Sequence, residues 1–116
     1  MSPATPSQHP LPKPLIDLVA QRFRVLGEPM RIKLLDRLRE GDATVSELQQ
    51  ALGASQQNVS KHLGILHAAG MVSRTKEGNS TRYAISDPSV FELCDQVCGG
   101  VRRQLQELEQ ILQPTG

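Results

Sequence analysis

The sequence predicts a mainly α-helical fold carrying one small β-hairpin. Apolar residues recur every three or four positions through five segments between residues 14 and 113. Turn-forming glycines at positions 27, 41, 53 and 70 punctuate those segments. Only residues 71–85 alternate with a period of two, around Glu77-Gly78-Asn79-Ser80.

The first 14 residues hold Pro3, Pro6, Pro10, Pro12 and Pro14. Such density removes backbone donors and excludes regular structure. Residues 1–13 are therefore expected to form a disordered arm, from which His9 and Lys13 could reach a ligand or a DNA backbone. Pro14 suits the first position of a helix. Leu15, Ile16, Leu18, Val19, Phe23 and Leu26 continue it at helical spacing, and Gly27 ends it. Pro29 opens a second helix to about Glu40, with Met30, Ile32, Leu34, Leu35 and Leu38 apolar and Gly41 as its cap. Thr44-Val45-Ser46-Glu47 is a capping box, starting a third helix with Val45, Leu48 and Leu52 inward. After Gly53, Ser55 caps a fourth helix with Val59, Leu63 and Leu66 inward, stopped by Gly70. The hairpin pairs residues 71–76 with 81–85. Asp87-Pro88 marks a boundary, and a last helix runs to about Gln113. Its Phe91, Cys94, Val97, Cys98, Val101, Leu105, Leu108 and Leu112 form a stripe like the seam of a paired helix. Gly99-Gly100 within it predicts a kink or a close backbone approach. The ordered domain is thus residues 14–113, with 114–116 as a tail.

Composition bounds the function. The 116 residues suit one domain. No run of about 18 apolar residues occurs, so a membrane span is excluded. The first 25 residues lack a signal peptide's apolar block, and two Cys make no disulfide scaffold. A cytoplasmic location is the expectation. The net charge of +1 offers no sign of a nucleic-acid partner until it is divided. Residues 55–85 carry Lys61, Arg74, Lys76 and Arg82 against Glu77, a local net of +3. Residues 86–116 carry Arg102 and Arg103 against Asp87, Glu92, Asp95, Glu107 and Glu109, a net of −3. Phosphate attraction follows the local face.

Two short helices joined at Gly53 have the grammar of a helix-turn-helix, whose second helix presents its N-terminal residues to base edges. Here those residues are Ser55, Gln56, Gln57, Asn58, Ser60 and Lys61, with His62 beside them. Gln and Asn pair with adenine, Lys donates to guanine or phosphate, and the serine hydroxyls suit phosphates. The hairpin reads as a wing along the backbone, offering Arg74, Lys76, Asn79 and Arg82. His67 and the methionines Met30 and Met71 read as packing residues.

Ser55-Gln56-Gln57-Asn58-Val59-Ser60-Lys61-His62-Leu63, with Leu66, Ala69-Gly70-Met71-Val72, Arg74, Glu77-Gly78 and Tyr83, resembles the ArsR/SmtB family of bacterial repressors. Leu26-Gly27-Glu28-Pro29-Met30-Arg31 resembles the start of that family's second helix. The resemblance spans residues 20–112. It implies a winged helix-turn-helix, homodimeric through the first and last helices, that represses by binding double-stranded DNA at an inverted-repeat operator and is released by an inducer.

Family members often bind metal through Cys-Val-Cys-Asp-Leu in the third helix, and others through His and carboxylate residues in the last. The matching residues here are Thr44-Val45-Ser46-Glu47-Leu48, whose hydroxyls are poor ligands for soft metals. The His-containing site of the last helix is also missing, because no His follows His67. Cys94 and Cys98 remain, four apart on one helix face with β-carbons about 5–6 Å apart. Three readings stay open: a thiophilic site for As(III), Cd(II) or Zn(II) completed by a third ligand, a thiol redox switch, or two small buried apolar side chains. No nucleophile elbow, phosphate loop or zinc-protease motif is present, so an enzyme is not expected. The competing class is a winged-helix protein-interaction module.

Overall fold

The structure is a computed structural model that describes residues 9–113. The tail 114–116 and most of the expected arm lie outside those residues. The elements are α1 (Lys13–Leu26), α2 (Pro29–Leu38), β1 (Ala43–Thr44), α3 (Val45–Leu52), α4 (Gln56–Ala68), β2 (Val72–Glu77), β3 (Ser80–Ile85) and α5 (Ser89–Leu112). This is a winged helix-turn-helix. Two compact units divide at Ser86: the helix-turn-helix with its wing, and α5.

In the first unit Leu34, Leu35, Leu48, Val59, Leu63, Leu66 and Met71 are sealed from solvent. α2, α3 and α4 each contribute an apolar stripe to this one centre, and Met71 closes it where the chain leaves α4. Three turns fix its geometry. Glu28 accepts N–H bonds from Met30 and Arg31 at 2.8 and 3.3 Å, capping α2. The Thr44 hydroxyl accepts from the Glu47 N–H at 3.2 Å, while the Glu47 carboxylate accepts from the Thr44 N–H at 3.1 Å. Gly70 adopts φ +76°, and the Met71 N–H reaches back to the Leu66 carbonyl at 3.0 Å. Only glycine enters that left-handed region cheaply, so α4 stops there and the chain turns into the wing.

Several expectations shift. α1 begins one residue early, at Lys13, which pairs with Asp17 at 3.2 Å. α2 ends at Leu38, before the expected Glu40. Its cap is Arg39, not Gly41, which lies in the following turn at φ +143°. Ile32 is 46% exposed because it falls on the outer face of α2. The hairpin is one part of a three-stranded antiparallel sheet in the order β1-β3-β2. Ala43 pairs with Tyr83 and Thr44 with Arg82, so the two residues before α3 are stitched to the inner wing strand.

In the second unit, α5 is one unbroken 24-residue helix through Gly99-Gly100. Neither glycine meets another backbone there; a β-carbon on either would touch only the Arg103 side chain, at 3.6 and 3.8 Å. Val97, Val101, Leu105, Leu108 and Leu112 lie exposed along it. On α1, Leu15, Ile16, Leu18, Val19 and Phe23 are exposed as well.

The capping box gives a first prediction. Two bonds from Thr44, backbone N–H first and hydroxyl second, pull the Glu47 carboxyl below the usual glutamate range. A lowered folded pKa means that this stabilisation is present above the unfolded glutamate range and disappears as pH falls through the folded value. Glu47→Gln is expected to leave the acid limb of the stability-versus-pH curve shallower than wild type. Superimposable limbs in urea melts between pH 2 and 6 would count against the box as a titrating element.

Candidate nucleic-acid interface

Ser55, in extended conformation, caps α4 by accepting the Asn58 N–H at 3.1 Å. Its hydroxyl is thereby committed to the helix start. Gln56, Gln57, Asn58, Ser60 and Lys61 are all exposed. Gly53 at φ +62° sets the turn that lifts these residues clear of α3. Val59, Leu63 and Leu66, on the opposite side, anchor the helix. The exposed residues form one polar surface rather than a scatter.

Wing register decides where the basic side chains go. Arg74 opposes Tyr83, Lys76 opposes Thr81, and Thr75 opposes Arg82. Opposed residues share a sheet face and neighbours along a strand alternate. Arg74 and Lys76 therefore project from one face and Arg82 from the other. Arg82 Nε donates to Glu77 at 3.0 Å, and its Nη1 lies 3.7 Å from Glu47 and 3.8 Å from Asp42. The hydrogen bond to Glu77, then the three carboxylate charges, push its pKa up. Arg82 was expected to face the phosphate backbone with Arg74 and Lys76; the structure instead occupies its guanidinium with carboxylates from the wing tip, α3 and the loop before β1. Lys61, Arg74 and Lys76 stay exposed.

His62 departs further. Expected beside the exposed set, it is 7% exposed. Three residues after Val59 and one before Leu63, it falls within the inward stripe of α4.

An open groove of about 490 Å³ joins the parts, lined by Ser46 and Gln49 of α3, Gln56 and Ser60 of α4, and Asn79 to Thr81 at the wing tip. Ser46 and Gln49 were missed by sequence reasoning, although the inward placement of Leu48 already left them on another face of α3. Apart from Val45 the lining carries amides and hydroxyls, whose N–H and O–H groups can donate to the oxygens of a phosphodiester chain.

Residues 28–74, from the α2 cap to the first wing strand, match the model of the bacterial regulatory protein arsR family. An uncharacterised HTH-type transcriptional regulator of Mycobacterium tuberculosis, Rv0081, is 39% identical over 82 residues, covering 70% of this chain and 72% of the relative. The chain belongs to the arsR family. The solved structure of Rv0081 superposes with a TM-score of 0.74 at 35% identity, covering 83% of this chain and 97% of that one. A probable mercury resistance operon repressor of Streptomyces lividans is 39% identical over 88 residues, 76% of this chain and 66% of its own length. A homodimeric winged helix-turn-helix DNA-binding domain from Mycobacterium bovis, a possible ArsR-family regulator, superposes at 25% identity with a TM-score of 0.73, covering 86% of this chain and 95% of that one.

Within this arsR-family chain, the hydroxyl of Thr44 accepts the Glu47 N–H as the cap of α3. On α5, Cys94 is half-buried and Cys98 exposed, and neither forms a disulfide. Among the described residues no group of three His, Cys, Asp or Glu side chains could hold a metal ion. Among them, too, no helix is long and apolar enough to cross a membrane.

Proposed function

We propose that this chain is a cytoplasmic transcriptional repressor that binds an inverted-repeat DNA operator as a homodimer. The observation that carries the reading is the exposed polar start of α4, held beside the basic face of the wing by one buried core. Gln56, Gln57 and Asn58 are the base-reading candidates, and Lys61, Arg74, Lys76 and Asn79 contact the backbone. The apolar faces of α1 and α5 supply the dimer contact, as the homodimeric M. bovis relative encourages. Binding of the full chain to a random duplex pool, sequenced after selection, tests it. Enrichment of a two-fold symmetric site is expected. Indifference to every duplex at low salt favours the protein-interaction module instead.

The inducer acts through Cys94 and Cys98. Two thiolates on one helix face make two ligands for a thiophilic ion such as As(III), Cd(II) or Zn(II). A single chain does not complete the site, so a third ligand comes from a second protomer or from solvent. An oxidant acting on the exposed Cys98 is the alternative trigger. The Cys94→Ser, Cys98→Ser double variant is expected to bind operator with wild-type affinity and to ignore these ions and mild oxidants. Release that persists in the variant excludes both thiol readings.

A further inference from the structure

Among the described residues, His62 is the only buried side chain that carries nitrogen. Its Nδ1 lies 3.3 Å from Nη1 of Arg31, and its Nε2 lies 3.8 Å from the Glu28 carboxylate. A guanidinium has donors and no acceptor, so the ring nitrogen facing it must carry the lone pair. The imidazole proton then sits on Nε2, toward Glu28. Arg31 is held from its other side. Its Nε donates to the Val25 carbonyl at 2.5 Å and its Nη2 to the Arg24 carbonyl at 3.5 Å, both in the last turn of α1. Cations at that end of a helix are favoured by its dipole. Glu28 is itself fixed by the α2 amides that it caps. One run of polar contacts thus links the end of α1, the start of α2 and the middle of α4.

We propose that His62 is a positioning residue for DNA reading: as the Nε2–H tautomer it receives Arg31 and sets the rotation and height of α4 against α1 and α2. The role rests on the reading of α4 as the recognition helix. Val59, Leu63 and Leu66 draw α4 inward, yet apolar attraction has no direction and resists small rotations weakly. The Arg31–His62 bond has direction. His62 follows Asn58 by one turn and Ser55 by two, so a slip at His62 passes along a stiff helix to the side chains that would meet base edges. Paired hydrogen bonds to a base tolerate little displacement. A histidine that only filled space would be replaceable by any side chain of similar volume.

The test uses the full chain and a duplex selected by the wild-type protein from a random pool. His62→Asn sets a carbonyl oxygen where Nδ1 accepts, His62→Gln sets its amide where Nε2 lies, and His62→Leu keeps volume alone. His62→Asn is expected to bind within about threefold of wild type, whereas His62→Gln and His62→Leu lose about tenfold, equivalent to about 1.4 kcal/mol. The latter two should also discriminate less between the selected duplex and a scrambled one. Equal binding by all three variants, or a loss in His62→Asn as large as in His62→Leu, overturns the role. Long-range ¹H–¹⁵N NMR on the DNA-free wild type reads the tautomer directly, so the proposal stays testable if His62→Leu does not fold. An unprotonated Nδ1 and a protonated Nε2 are expected; the opposite tautomer overturns the proposal without involving DNA. Wild type that selects no duplex sinks the DNA reading itself, and the tautomer then still reports separately on the Arg31 contact.

Discussion

Leu63→Ala should destabilise the domain by about 3 kcal/mol, since deleting a fully buried leucine side chain forfeits its transfer energy and leaves a cavity. Leu63 is inaccessible to solvent and stands between Val59 and Leu66 on the stripe that seats α4. Leu34, Leu35, Leu48 and Met71 are sealed in the same core, and close-packed neighbours of that kind relax only partly into a void. For a domain of this size that loss lowers Tm by more than about 10 °C. Ile32→Ala makes the comparison, because a side chain 46% exposed has little burial to lose. Its effect should stay within about 0.5 kcal/mol. Urea unfolding of both variants measures the difference. A loss under about 1 kcal/mol for Leu63→Ala would place α4 outside the core and remove the foundation of the proposed interface.

The second large effect is on binding. Lys61, Arg74 and Lys76 on each of two protomers would place six cations against phosphates, giving a slope of log affinity against log salt of about −5. Raising monovalent salt from about 50 to 200 mM should then weaken operator binding about 10³-fold. Were Arg82 also a phosphate ligand, eight contacts would steepen the slope to about −7. The carboxylates of Glu77, Glu47 and Asp42 around Arg82 argue for the shallower value. Lys61→Ala should reduce the steepness by about 1 for each protomer. Affinity independent of salt would sink the assignment of these side chains to the DNA backbone.

Much of this architecture is legible in the sequence because its signals are local. Gly53, Ser55 and Gly70 announce the helix ends through backbone conformation and capping, which depend on few neighbours. Thr44 and Glu47 announce theirs in the same way. What escapes a linear reading depends on distant partners or on a misjudged side. β1 has two residues, too few to show alternation, and exists only because β3 comes to lie beside it. Arg82 is basic and close to a turn, which suggests a phosphate ligand. Its alternation with inward Tyr83 already assigned it to another face, but nothing local reveals Asp42 and Glu47. His62 was legible and misread: position 62 completes the stripe of 59, 63 and 66, yet a polar residue type suggested solvent. The glycine pair in α5 misled in the other direction, since the helix runs through it without a kink.

The short pairing of β1 with β3 has a mechanical consequence. Thr44 is at once the last residue of that strand, the cap of α3 and the partner of Arg82 in the ladder. Wing and helix pair are therefore clamped at a fixed gauge, like the jaws of a caliper set by one screw. On the proposed operator, such a tool would measure the span from the major groove to the neighbouring backbone as well as the bases inside it. Sites whose local twist or groove width departs from the gauge would then be penalised even where every base is correct.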